Sequence, residues 1–166
     1  MKYCTRSFFK RFLPVLLAIP LSFLLTTAAV RAEVTLPYIL SDNMVLQRDV
    51  PVTLWGWAKA GEKVTVMLQG QQVSTKTGKD GTWKVTMKPL AAGGPFELTI
   101  KGKNTLVLKN ILAGDVWVCG GQSNMEWPLA QSRNWPADKA LTKNDNIRLF
   151  YVPKNMSPKP LANTKE

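Results

Sequence analysis

The sequence predicts a mainly β fold: an N-terminal antiparallel β-sandwich over residues 33–112, followed over 113–166 by the start of an α/β domain. Two observations carry this. Runs that alternate polar and apolar residues recur at spacings near ten through the first region, separated by glycine-containing turns. At Asp115-Val116-Trp117-Val118-Cys119 the alternation stops and an unbroken apolar run begins, as in a strand buried on both faces of a parallel sheet. Six tryptophans with eleven glycines and eleven prolines in 166 residues agree with a β-rich chain.

Residues 1–32 read as an address. Lys2, Arg6, Lys10 and Arg11 form a positive start, and residues 12–30 carry no charge. Val30 and Ala32 supply the small-x-small ending at which a signal peptidase cuts after Ala32. The competing reading is a membrane anchor, because nineteen uncharged residues come close to the roughly 20 that span a bilayer. Pro14, Pro20 and the cleavage pattern oppose it, and no cysteine follows to carry a lipid, so the expectation is export to the periplasm or medium without a stable membrane anchor.

The address also explains nearly half of the net charge. The chain carries 22 Lys+Arg against 11 Asp+Glu, a net +11; removing residues 1–32 takes five basic residues and leaves 17 against 11, or +6. The remaining cations are scattered singly, which excludes the basic stripe of a nucleic-acid binder. There is no histidine. With two cysteines, one of them Cys4 in the address, neither a disulfide framework nor a four-ligand zinc site can be assembled.

In chain order the expected strands are 52–57, 63–68, 72–77, 83–87, 96–100 and 105–108. Lys79-Asp80-Gly81 reads as a hairpin-type turn into the run that begins at Trp83. Carboxylates here stand singly, so nothing in this region carries chemistry. Trp55, Trp57 and Trp83 suit the space between two sheets; the alternative is that Trp57 or Trp83 stacks on a sugar ring, which would make the region a non-catalytic carbohydrate-binding module.

The chemistry-bearing block is Gly120-Gly121-Gln122-Ser123-Asn124-Met125-Glu126. Two glycines after a strand permit a tight turn that lifts Ser123 to the strand's carboxyl end, where open α/β sheets place ligands. There the hydroxyl can act as a nucleophile and the backbone N–H as an oxyanion donor. The same residues fit a second reading, the S-x-x-E capping box, in which Ser123 caps a helix and Glu126 reaches back. A G-x-S-x-G elbow is not present, since Met125 stands at the second glycine. Beyond it the pattern suggests a loop or helix over 129–141, a strand over 146–152 and a polar tail from Pro153.

Gly121-Gln122-Ser123-Asn124-Met125, preceded by Gly114-Asp115-Val116-Trp117-Val118-Cys119, resembles the nucleophile block of the sialate O-acetylesterase family within the SGNH hydrolases. Leu40-Ser41-Asp42-Asn43-Met44-Val45-Leu46-Gln47-Arg48, Trp55-Gly56-Trp57-Ala58, Asp80-Gly81-Thr82-Trp83 and Gly93-Gly94-Pro95-Phe96 are similar, in the same order, to that family's N-terminal β-domain. The resemblance implies ester hydrolysis on an acetylated carbohydrate, sialic acid or polysaccharide, with Ser123 as nucleophile and oxyanion donor. It gives Gln122 a supporting place in the oxyanion loop, departing from the Asp that many SGNH enzymes carry there. Asn124 and Trp127 would face the substrate, although for Trp127 the reading preferred from the residues is packing beneath the following helix.

No cofactor is implied. A serine needs an adjacent base, which in this family is a histidine with an acidic partner from late in the domain, and Asp115 lies too far along its strand to substitute. An SGNH sheet with its helices needs on the order of 200 residues, whereas 113–166 supplies 54. The expectation is therefore an N-terminal fragment of a longer esterase, inactive alone. Cys119 is expected as a small core residue, with a disulfide to a downstream segment as the other reading.

Overall fold

The computed structural model describes residues 33–164, so the expected signal segment and Cys4 lie outside the described residues. Seven strands form: β1 Val45–Gln47, β2 Val52–Trp57, β3 Lys63–Leu68, β4 Gln71–Lys76, β5 Thr82–Met87, β6 Gly93–Lys101 and β7 Thr105–Gly114. Five make one sheet in the order β1-β7-β6-β3-β4, and β2 pairs with β5 in a second. The chain is thus mainly β, and the six expected strands each fall within an observed one or overhang it by a single residue.

Alternation drives the packing. Val64, Val66 and Leu68 of β3, Leu98 and Ile100 of β6 and Ile111 of β7 point from the larger sheet into the same apolar cluster as Leu54 of β2 and Trp83, Val85 and Met87 of β5. Each such side chain contributes about 1.5–3 kcal/mol by leaving water. Gly56 shows why a glycine interrupts this pattern. A Cβ there would collide with the Thr35 carbonyl and lie 2.9 Å from the Trp83 ring, so only glycine lets that indole cross beneath β2.

Three features differ from the sequence expectation. First, the larger sheet is not wholly antiparallel: Val45, Leu46 and Gln47 run parallel to Leu112, Ala113 and Gly114. The nearly sixty residues that separate the two strands give ample length for a parallel crossover. Alternation does not single out β1, since three residues are too few to display a period of two.

Second, the Asp80-Gly81 turn is a corner and not a hairpin. β4 pairs with β3 while β5 pairs with β2, so this turn carries the chain from one sheet to the other. Asp80 holds it by accepting the Thr82 amide at 3.1 Å and hydroxyl at 2.7 Å, which pulls its carboxyl below the usual range. The two-residue hairpin lies one step earlier at Gln69 and Gly70, both at positive φ (50° and 73°), the geometry that matches strand twist.

Third, β7 continues to Gly114, past the expected boundary at 112, and there the sheet ends. Beyond it come 3₁₀ turns at Ser123–Glu126, Leu129–Gln131 and Lys139–Thr142 and a single helical turn, α1, at Trp135–Asp138. The expected doubly buried strand at 115–119 does not form, and Trp117 and Val118 are 83% and 98% exposed. The reason is the ladder: β1 stops at Gln47 opposite Gly114, and β6 begins at Gly93 opposite Ala113, so no described strand continues alongside. Residues 146–152 likewise form no strand, and Leu149 is 94% exposed. Cys119 is a free, exposed thiol, not a core residue.

Candidate functional site

The candidate nucleophile is reached from the β1/β7 edge. The Arg48 amide donates to the Gly114 carbonyl at 3.0 Å, and the Val116 amide donates to Gln47 Oε1 at 2.8 Å. The Arg48 guanidinium donates to Asp115 at 2.9 Å and to Asp49 at 2.7 Å, contacts that hold it charged above its ordinary value. Six residues beyond Val116 the chain turns at Gln122, whose backbone is extended (φ −109°, ψ −154°), into the 3₁₀ turn that Ser123 opens.

Gln122, Ser123, Asn124 and Trp127 are brought together by this one turn, and all four are exposed. The Met125 amide donates to the Gln122 carbonyl at 2.9 Å and the Trp127 amide to the Asn124 carbonyl at 3.3 Å. Met125 folds back over Gly121, where a Cβ would lie 2.5 Å from its Cγ, so a larger residue there would displace the Met125 side chain. Trp127 is 62% exposed and does not pack beneath a helix.

The capping-box reading of Ser123 is not realised. Gln122 occupies the cap position, no side chain caps the turn, and Glu126 pairs with Lys154 at 2.6 Å instead of reaching back. Among the described residues neither the Ser123 hydroxyl nor its amide has a protein partner, so both remain open to a ligand. The nearest carboxylates along the chain are engaged elsewhere, Asp115 by Arg48 and Glu126 by Lys154. With no histidine in the 166 residues, the described turn offers a hydroxyl, an amide donor and no base.

Two clefts lie apart from this turn. One, of about 580 Å³, is lined by Pro37, Ile39, Trp55, Phe150 and Val152 together with Pro153, Asn155 and residues 157–164. The other, of about 660 Å³, is bordered by Asn43, Asn110 and Arg148. Of the three tryptophans in the β region, Trp83 is 2% exposed and fills the core, which removes it from any sugar-stacking role; Trp57 is half-buried and Trp55 opens onto the first cleft.

No protein-family model matches the chain. It is 37% identical to the sialate O-acetylesterase of Rattus norvegicus over 138 residues, which is 74% of this chain and 25% of the rat protein. Against the sialate O-acetylesterase of Homo sapiens it is 38% identical over 107 residues, 57% of this chain and 20% of the human one. Its structure matches a crystal structure of a carbohydrate acetylesterase from Xanthomonas citri with a TM-score of 0.77 and 41% identity, over 81% of this chain and 31% of that one. The chain belongs to the sialate O-acetylesterase-like family. It spans about a quarter of the length of the curated relatives it matches.

Membership of this family gives the Leu40–Arg48 resemblance a structural meaning. Asp42 accepts the Lys109 amide at 2.7 Å, the Asn43 amide donates to the Lys109 carbonyl at 3.0 Å, and Asn43 Oδ1 accepts Asn110 Nδ2 at 2.8 Å. Sequence patterning gives these polar residues no role, since Ser41-Asp42-Asn43 reads only as a polar run before the apolar triplet Met44-Val45-Leu46. The signal available was their clustering within one motif shared with the family.

Proposed function

We propose that the complete protein hydrolyses O-acetyl esters on carbohydrate, sialic acid or an acetylated polysaccharide, with Ser123 as the nucleophile. The observation that carries this is Gly-Gly-Gln-Ser-Asn, with an uncapped and exposed Ser123, directly beyond the strand edge of a chain 37–41% identical to sialate O-acetylesterases and a carbohydrate acetylesterase. Ser123 Oγ attacks the acetyl carbonyl carbon while a base takes its proton. The Ser123 amide donates to the resulting oxyanion, the sugar oxygen leaves with a proton, and water then releases acetate from the acetyl-serine. Gln122 supports the oxyanion loop, and Asn124 and Trp127 stand on the substrate side. The base is a histidine from outside these 166 residues, with its acidic partner, so the chain alone gives only background hydrolysis.

In the same reading the two sheets form the sandwich domain, residues 113–166 open an SGNH-type domain, and the protein is exported with cleavage after Ala32. Serine ester hydrolysis needs no metal. The test is acetate release from O-acetylated sialic acid and acetylated xylan by the complete protein and its Ser123→Ala variant. The variant is expected to lose at least about 1,000-fold in rate with unchanged melting; activity that survives the substitution would overturn the assignment of Ser123.

A further inference from the structure

We infer that Gln47 and Arg48 are positioning residues for the nucleophile, acting through Asp115 and Val116; the inference rests on the esterase reading of Ser123. Among the described residues the strip 42–48 makes no hydrogen bond or ion pair with the Ser123 turn itself, yet it holds the chain upstream of that turn at successive residues. Asp42 and Asn43 hold Lys109 and Asn110, Val45 to Gln47 pair with Leu112 to Gly114, Gln47 takes the Val116 amide, and Arg48 takes the Gly114 carbonyl and the Asp115 carboxylate. Val116, two residues past the end of the sheet at Gly114, is the last residue so held, so the Gln47 contact sets the direction in which residues 117–123 depart.

The far end of the excursion is tied to the same edge. The Arg148 guanidinium donates to the Asn110 carbonyl and, at 3.1 Å, to Asn110 Oδ1, while Asn110 is itself bonded to Asn43. Both Asn43 and Asn110 adopt left-handed backbone, φ 65° and 58°, which asparagine tolerates better than most residues. Residues 117–147 are thus a loop with both ends fastened to one strand pair.

Stability does not account for the arrangement. The Arg48 and Asp115 side chains are 41% and 56% exposed, and an ion pair so open to water adds little to folding. Its geometry, in contrast, fixes an exit vector, and a small misplacement of a reacting group is costly to rate.

The experiment uses the complete protein with Gln47→Ala, Arg48→Ala and the conservative Gln47→Glu, which keeps an acceptor oxygen for the Val116 amide. Steady-state acetate release and thermal melting are measured beside amide hydrogen exchange in the peptide covering residues 115–122. The alanine variants are expected to lower kcat about 10- to 100-fold, with KM and melting little changed and exchange in 115–122 faster; Gln47→Glu is expected to recover most of the rate and the protection. Unchanged kcat, unchanged exchange, or loss of kcat together with the melting transition would each overturn the inference, the last because it marks a folding contact only. If the wild-type protein releases no acetate, the esterase reading fails, and unchanged exchange in Gln47→Ala would then separately refute the bracing.

Discussion

Residues 34–114 and residues 115–164 are both rich in apolar side chains, and they treat them in opposite ways. In the first region Leu54, Val66, Leu98 and Ile111 are buried in one apolar cluster; in the second Trp117, Val118, Leu149 and Tyr151 face water. The difference is one of partners, not of composition. β2 to β7 each pair with a neighbouring strand, and all of them but β4 bury side chains in one apolar cluster, while the chain beyond Gly114 does neither among the described residues. An apolar run states that a segment can be buried, and only a ladder and a cover decide whether it is.

The sharpest way to break this comparison is to make the same truncation on each side. Leu98→Ala in the centre of β6, where the side chain is fully enclosed, is expected to cost about 2–5 kcal/mol in urea unfolding. Leu149→Ala, at 94% exposure, is expected to stay within about 0.5 kcal/mol. Equal losses would show that the second region is packed after all.

The joint between the regions offers an intermediate effect. Asn110→Ala forces a left-handed backbone on a residue that resists it and removes the side-chain partner of Asn43 and one of the two Asn110 acceptors of Arg148, for an expected loss of about 1–2 kcal/mol. Faster amide exchange near residue 148 should accompany it, and exchange confined to residue 110 would argue against a fastened return.

The smallest effect expected lies wholly within the β region. Asp80 has its carboxyl held below the usual value chiefly by the Thr82 hydroxyl, so its contribution to stability is complete above the unfolded carboxylate pKa of about 3.9 and fades as pH falls through the lower folded value. Asp80→Asn should therefore lower the melting temperature slightly at neutral pH, with the difference from wild type shrinking as pH falls through the folded value.

Much of the β region was legible in the alternation alone. The strands around Leu54, Val66 and Val85 match their expected ends to within a residue, because one buried face imposes a period that side chains must obey. Pairing was not legible: Asp80-Gly81 has the composition of a hairpin turn, and only the second sheet reveals it as a corner. The runs at 115–119 and 146–152 look like strands because their residues suit burial, and nothing local records that a neighbour is wanting. At Ser123 the residues supported capping and nucleophile readings alike; the structure leaves the cap unformed, and the family likeness gives the hydroxyl its proposed task. Gln47 and Arg48 stayed hidden because their side chains meet Val116 and Asp115, sixty-nine and sixty-seven positions away.

The account stands most directly on whether Ser123 is an activated hydroxyl in the complete protein. A fluorophosphonate probe, whose phosphorus is attacked by an activated serine with loss of fluoride, followed by intact mass and peptide mapping, measures this. The account predicts one adduct, on the peptide containing Ser123, absent from Ser123→Ala and slowed in Gln47→Ala. An adduct on another residue, or none on a protein that releases acetate, would contradict it.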